Sequence, residues 1–199
     1  MADIFTRLPY EVTVNGQKYA LTPSFDNVLS MYKAVENLDD WDKPEVMLYY
    51  LLKKPPKTPS ADLFRAVVGV LFKPSSKGEK TFDFVQDSDL IYAAFYQAYG
   101  LDLIEQQGKL HWWKFTALLN GLPSNTRFSE VISIRTRPIP APTKYNQQER
   151  ENLIRLKREY ALKLSTEERN EQLQNSLRNV VGWLQSNAKG KVNNAGSNL

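Results

Sequence analysis

Cysteine is absent from the 199-residue chain, and histidine occurs once, as His111. A disulfide framework, a zinc–thiolate site and a cysteine nucleophile are therefore excluded, as is any metal site or acid–base pair that needs two histidines. The 9 glycines stand singly, so the chain has no glycine-rich loop to cradle a phosphate. A Gly-x-Ser-x-Gly elbow and a metalloprotease helix are also missing from the sequence. We therefore expect a protein that is not an enzyme and that takes no cofactor, metal or small-molecule substrate.

Long apolar runs are lacking as well. No stretch of about 18 apolar residues occurs, and residues 1–7 lack the apolar region of a signal peptide. We expect no membrane span and no export by the usual route, and the lack of cysteine fits a reducing compartment. Hydrophobic residues nevertheless make up 42% of the chain and aromatic residues 12%, which is enough to build a packed core.

The net charge of +4 lies in the C-terminal part of the chain. Residues 1–143 contain 16 basic and 16 acidic residues, whereas residues 144–199 contain 10 basic and 6 acidic residues. An electrostatic partner is therefore expected to bind the C-terminal part. The basic residues between 150 and 158 are interleaved with glutamates, however, which is typical of a solvated helix face. This pattern does not favour nucleic-acid binding.

The first predicted element is a β-hairpin. The segment from Tyr10 to Val14 alternates polar and apolar residues, Asn15-Gly16 is a type I′ turn sequence, and residues 17–21 form the return strand. A lone hairpin is marginally stable in water, so we expect it to pack on the elements that follow.

Six helices are predicted between residues 25 and 136, because apolar residues recur there at spacings of three and four. Asp42 and Glu45 resemble a capping box for the second helix, Ser60 is a good N-cap for the third, and Gly100 ends the fourth, which begins at Ser88. The residues noted on these six helices are, in chain order, Phe25, Val28, Leu29, Tyr32 and Val35; Val46, Tyr49, Tyr50 and Leu52; Phe64, Val67, Val68 and Leu71; Tyr92, Phe95, Tyr96 and Tyr99; Trp112, Phe115, Leu119 and Leu122; and Phe128, Val131, Ile132 and Arg135.

A proline-rich segment then marks a domain boundary. Prolines alternate with other residues up to Thr143, which predicts an extended, semi-rigid spacer. We therefore expect a helical domain with the N-terminal hairpin at 1–137, a linker at 138–143, a C-terminal helical arm at 144–186 and a disordered tail at 187–199. The fold class is thus mostly α with one small hairpin.

The arm carries two narrow apolar seams of the coiled-coil kind, which need a partner surface. We predict that these seam residues bind protein: Leu153, Leu156, Tyr160, Leu164, Leu173, Leu177, Val180 and Leu184.

Possible reactive groups have simpler interpretations. His111 precedes a predicted helix, where a buried or capping role is expected. Negative charge is favoured at the positive end of a helix dipole, so we interpret two groups of carboxylates as helix-capping rather than catalytic. These groups are Asp39, Asp40 and Asp42, and Asp83, Asp87 and Asp89.

The pattern Tyr-Gly-x-Asp-Leu at 99–103, followed by Leu-His-Trp-Trp-x-Phe at 110–115, resembles the "gene product fifteen" family of long-tailed bacteriophages and prophages of Gram-positive bacteria. The segments 89–103 and 118–123 and the Ile134-Arg135 pair also match, and the resemblance covers residues 1 to about 137. It implies that Trp112, Trp113 and Phe115 form a signature core of the fold.

Members of this family are encoded in the tail-morphogenesis region beside the tape-measure gene, a position held by tail assembly chaperones. The resemblance therefore implies a non-enzymatic protein that binds the tape-measure protein and the tail-tube protein in the host bacterial cytoplasm, and we expect it to self-associate. A structural virion component, such as a connector or tail-completion protein, is the alternative. A nucleic-acid-binding accessory protein is a third.

Overall fold

The computed structural model describes residues 5–36, 38–72 and 80–163. Within them the chain forms a two-stranded antiparallel hairpin and seven helices, so the predicted fold class is confirmed. The elements are β1 (Glu11–Val14), β2 (Gln17–Ala20), α1 (Phe25–Val35), α2 (Lys43–Leu51), α3 (Ala61–Leu71), α4 (Ser88–Tyr99), α5 (Trp112–Asn120), α6 (Arg127–Thr136) and α7 (Gln147–Glu159).

The hairpin turn has the backbone that its sequence predicts. Asn15 has φ of 48° and Gly16 has φ of 78°, as a type I′ turn requires at both central positions. Val12 of β1 is buried and the hairpin packs against α3. The expected packing of the hairpin on the helical part is therefore confirmed.

The segment between β2 and α1 joins two distant parts of the chain. On one side, the Thr22 N–H donates to the Leu51 carbonyl at 2.9 Å, at the end of α2. On the other, the Trp112 N–H donates to the Pro23 carbonyl at 2.7 Å, at the start of α5. Because these bonds satisfy backbone groups that would otherwise be buried unpaired, they fix α2 and α5 against the beginning of α1.

Stacked rings fill the centre of the fold. Phe115 is fully buried and stacks on Phe25, Phe95 and Trp112, with ring centroids 5.0, 5.1 and 5.6 Å away. We call these four residues the ring core. The expectation that Trp112 and Phe115 belong to a signature core is confirmed, and Trp113 is half-buried with its indole N–H donating to the Leu71 carbonyl at 3.0 Å.

Two of the predicted helix ends are confirmed and a third is wrong. Ser60 caps α3 by accepting from the Leu63 N–H at 3.2 Å, and Gly100 ends α4 with φ of 61°. The predicted capping box of α2 is wrong, because the Asp42 side chain makes no capping bond. Pro44 lies instead in the first turn of that helix, which its fixed φ suits.

Of the residues predicted to line α2, Leu52 is buried and Val46 and Tyr50 are half-buried, but Tyr49 is exposed. Leu48 and Leu51 are buried, whereas Tyr49 is 67% exposed. Aliphatic side chains lose no polar group on burial, while a tyrosine can keep its hydroxyl in water, so the leucines occupy the core.

The first compact unit of the structure continues through the predicted linker. The first compact unit extends to Ala161, beyond the proline-rich segment, and α7 packs against α6 within it. Residues 138–145 are exposed and lead from α6 to α7. The remainder of the predicted arm beyond Lys163 and the predicted tail lie outside the described residues.

Candidate protein-binding surface

The predicted seam residues that the structure describes all lie on or beside α7. Leu153 is buried, and Leu156 and Tyr160 are half-buried. These side chains therefore serve at least partly to dock α7 within its own unit. The other five seam residues lie outside the described residues: Leu164, Leu173, Leu177, Val180 and Leu184.

Arg135 of α6 holds the end of α7 in place. Its side chain is only 9% exposed and forms a bidentate ion pair with Asp87, at 2.7 and 2.8 Å. The same guanidinium donates to the Tyr160 carbonyl at 2.6 Å and to the Thr81 carbonyl at 3.2 Å. One buried side chain thus joins the start of α4 to α6 and to the end of α7.

Further polar contacts reinforce this attachment. The Lys157 ammonium donates to the Arg135 carbonyl at 2.5 Å, and the Gln86 side chain donates to the Ala161 carbonyl at 2.9 Å. Arg127 donates to the Tyr160 hydroxyl at 2.5 Å and lies 5.3 Å from the centre of that ring. We call this set of contacts the α7 junction.

Asp87 has a different role from the predicted one. It is 2% exposed and makes no side-chain capping bond to α4, so its interpretation as a capping carboxylate is wrong. A buried carboxylate needs a compensating charge, and Arg135 supplies it. The ion pair was invisible to sequence reasoning because its partners are 48 positions apart.

Asp83 shapes the turn before α4. Its Oδ1 accepts from the backbone N–H groups of Val85 and Gln86, both at 2.8 Å, and its Oδ2 pairs with Lys80. Burial opposes ionisation of this carboxyl, but the bonds from Lys80, Gln86 and Val85 outweigh it and lower its pKa. Asp83 therefore stabilises the local backbone, in agreement with its interpretation as a structural rather than a catalytic carboxylate.

His111 caps α5, as its position in the sequence indicated. It is 2% exposed, and its Nδ1 accepts from the Trp113 N–H at 3.0 Å. Its Nε2 lies 3.2 Å from the Pro9 carbonyl, so the neutral tautomer with the proton on Nε2 satisfies both partners. Burial lowers the pKa of His111, which further favours the neutral ring.

An open apolar groove lies between α1, α4 and the turn at 101–110. Its volume is about 150 Å³, and polar side chains of Ser88, Tyr92 and Gln107 stand among the lining residues. The exposed rim includes Ile104, whose side chain is 66% exposed. The apolar walls are Phe25, Leu29, Phe84, Ile91, Leu103 and Phe115.

Sequence reasoning missed this groove. Residues 101–110 belong to no predicted helix or strand, so their apolar residues were not assigned to a face. A signal was present, because Asp102 precedes Leu103 and Ile104 in a turn-forming position. In the structure Asp102 accepts from the Ile104 N–H at 2.8 Å and fixes that turn.

Several rings stand on the surface, as the aromatic content suggested. Tyr96 is 59% exposed and Tyr99 is 38% exposed, whereas Phe95 on the same helix is buried. Trp41 and Tyr145 are each 93% exposed. Aromatic residues are enriched at protein interfaces, so these positions are candidates for contacts with partners.

The part of the chain that the structure describes contains no helix long and apolar enough to cross a membrane. It also brings together no group of three or more acidic or histidine side chains suited to a metal ion.

Comparison with known proteins gives one match. A family model described as bacteriophage Gp15 protein matches residues 4–162. No curated protein and no solved structure matches the chain. The matched region covers the hairpin, all seven described helices and the α7 junction, and it ends within one residue of the compact unit's end at Ala161. The resemblance that the residues at 89–123 indicated is confirmed, and the chain belongs to the bacteriophage Gp15 protein family.

Proposed function

We propose that this phage protein is a tail assembly chaperone-type factor that binds the tape-measure protein and the tail-tube protein during tail morphogenesis, without catalysis. Family membership carries the proposal, because it establishes a phage protein and the family resemblance implies a role in tail assembly. We place this activity in the host cytoplasm and expect the protein to self-associate.

The described surface is suited to protein contacts. Trp41 and Tyr145 present almost their whole side chains to solvent. A large ring supplies much contact area at a small cost in conformational entropy, which is why tryptophan and tyrosine recur among residues that dominate binding energy. These rings support a binding role over a purely architectural one.

The burial of part of the predicted seam bears on which of its residues we propose as the binding surface. Leu153 is buried where α7 packs on α6, so it is not available to a partner while α7 stays docked. We therefore assign partner binding to the seam residues beyond Lys163, with α7 as their attachment to the compact unit. Leucine and valine anchors at spacings of three and four are those of a helix that docks in a groove.

The test is co-expression with the tape-measure protein, using the full chain and a chain that ends at Lys163. The shortened chain keeps α7 and its junction, so its folding is matched to that of the full chain. We expect the full chain to recover the tape measure and to sediment as an oligomer, and the shortened chain to lose both properties. Equal recovery by the two chains would place the binding surface on the compact unit.

Mass spectrometry of purified virions separates the proposal from its main alternative. An assembly chaperone is absent from the finished particle, whereas a connector or tail-completion protein is present in defined copy number. Retention on DNA that falls steeply with salt would instead indicate a nucleic-acid-binding protein.

A further inference from the structure

The groove between α1, α4 and the turn at 101–110 has the size of one side chain. An apolar space of about 150 Å³ holds a benzene-sized group. Sites for cofactors and drug-sized molecules are about 300–1,000 Å³, so this groove is too small for them. Its occupant is therefore a single large apolar group such as a leucine or phenylalanine side chain.

Four carboxylates are neighbours in sequence of residues that line the groove. Asp26, Asp89, Asp102 and Glu105 are each next in sequence to a residue that lines it. None of these four forms an ion pair with a residue that the structure describes. Lys109 donates a hydrogen bond to the backbone carbonyl of Glu105 at 2.9 Å, not to its side-chain carboxylate.

The turn brings two of these carboxylates to fixed positions at the rim. Asp26 accepts from the Gly108 N–H at 2.9 Å, beside the lining residue Gln107. Asp102 accepts from the hydroxyl of Tyr92 at 3.2 Å. Desolvation and, after it, the negative charges of Asp102 and Glu105 raise the pKa of Tyr92, in line with the position of Asp102 at the rim.

We propose that this groove is a docking site for an amphipathic helix of a partner protein, which inserts one large apolar side chain and presents lysine or arginine residues to the carboxylates around it. Charge complementarity selects a basic helix over an acidic one, because like charges placed opposite one another weaken binding. Docking by a few apolar anchors into a groove between helices is a common mode of helix recognition. Under the function proposed above, on which this assignment of the partner rests, the helix belongs to the tape-measure protein. The groove is then a second contact with that protein, beside the seam residues beyond Lys163, and we expect recovery of the tape measure to need both.

The direct test uses two synthetic amphipathic peptides of about 18 residues with identical leucine positions, one with lysines and one with glutamates on the polar face. Binding to the full chain is measured by fluorescence anisotropy. We expect the lysine peptide to bind at least about tenfold more tightly than the glutamate peptide. Equal affinity for the two peptides would overturn the charge complementarity and with it the proposal.

Variants locate the binding to the groove. Ile104→Lys removes an exposed apolar contact and Glu105→Lys reverses a charge at the rim, and both side chains are exposed, so the fold should be kept. Each should weaken binding of the lysine peptide by about tenfold. Glu151→Lys makes the same charge change on the exposed face of α7 and should leave binding unchanged. If Glu151→Lys weakens binding as much as Glu105→Lys, the effect is one of net charge and the groove is not the site.

Co-expression with the tape-measure protein distinguishes the two proposals. Loss of tape-measure recovery in Ile104→Lys, but not in Glu151→Lys, supports both. Full recovery in Ile104→Lys overturns the groove as the tape-measure site and leaves the proposed function standing. No recovery by the unaltered chain overturns the proposed function, whereas peptide binding that depends on Ile104 would still support the groove.

Discussion

The ring core and the Arg135–Asp87 pair at the centre of the α7 junction are both buried, but opposite kinds of interaction stabilise them. In the ring core, Phe115 stacks on three other rings and is fully buried. In the α7 junction, Arg135 satisfies a buried carboxylate and two backbone carbonyls, while Leu153 is the one buried side chain of α7.

Because of this difference, the two regions should respond differently to the loss of a side chain. Apolar burial is non-directional and tolerates small displacements, although a deleted ring leaves a cavity. A buried ion pair depends on geometry, and removal of one partner leaves an uncompensated charge. The ring core therefore sets the stability of the fold, whereas the α7 junction sets the position of one helix.

The largest effect is expected from Phe115→Ala. The change removes a fully buried ring that stacks on three others, so the free energy of unfolding should fall by about 4 kcal/mol. Denaturant unfolding followed by tryptophan fluorescence measures this loss. Tyr96→Ala is the matched control on an exposed ring and should cost less than about 1 kcal/mol. Similar losses in the two variants would mean that the ring core does not dominate stability.

Asp87→Ala should have the next largest effect. Arg135 keeps its bonds to the carbonyls of Thr81 and Tyr160 but loses its counter-ion, so we expect a loss of about 3 kcal/mol. Arg135→Met alone should also destabilise, because Asp87 is then left buried and unpaired. The double variant should lose clearly less than the sum of the two single losses. Strict additivity would show that the pair does not act as a unit.

The same variants test the position of α7. Arg135→Met removes the donor to the Tyr160 carbonyl, so protease cleavage in the exposed segment 137–146 should become faster even where the rest of the compact unit stays folded. An unchanged cleavage rate would mean that Leu153 and its neighbours suffice to hold the helix.

The contrast also explains what the sequence could predict. Local signals identified the Asn15-Gly16 turn, the Ser60 cap and the Gly100 helix end, because each depends on residues a few positions apart. The ring core was recognised through its aromatic content at helical spacing and through the family resemblance. These features need no knowledge of how distant helices meet.

The α7 junction and the groove could not be predicted without knowing how distant helices meet. Asp87 lies at the start of a helix, where capping is the usual role, and only the fold shows that Arg135 approaches it. Lys157 belongs to the helix face that its mixed charges indicated to be solvated, yet it donates to the Arg135 carbonyl of α6. The contact of Arg127 with Tyr160 likewise joins residues 33 positions apart. An apolar seam indicates that a helix needs a surface, but it does not say whose surface that is.

His111 offers a smaller test, because it is a buried polar group beside the apolar core. Its folded-state pKa is lowered from 6.5, so the unfolded chain takes up the proton first as the pH falls. The stability that neutral His111 contributes to the fold is fully present above about pH 6.5. It is lost as the pH falls from there toward the lowered pKa. A single group contributes at most about 1.4 kcal/mol per pH unit.

Unfolding free energies measured at about pH 7.5 and about pH 5.5 reveal this loss. His111→Asn keeps a side chain that caps helices but does not titrate, so its stability should change less between the two pH values. An identical change in both proteins would assign the pH dependence to other groups.

The smallest effect is expected from Ser24→Ala. Ser24 precedes α1, yet its side chain makes no capping bond, and its buried hydroxyl has no hydrogen-bond partner among the described residues. Burial of an unpaired hydroxyl costs free energy, so its removal should leave stability unchanged or raise it by up to about 1 kcal/mol. Thr126→Ala is the matched control, because the Thr126 hydroxyl is also buried but accepts from the Ser129 N–H at 3.2 Å and caps α6. That change should cost about 1 kcal/mol, the usual value of an N-cap. Thermal unfolding of the two variants compares a buried hydroxyl without a partner to one with a partner. If Ser24→Ala loses as much stability as Thr126→Ala, the Ser24 hydroxyl is hydrogen-bonded in solution.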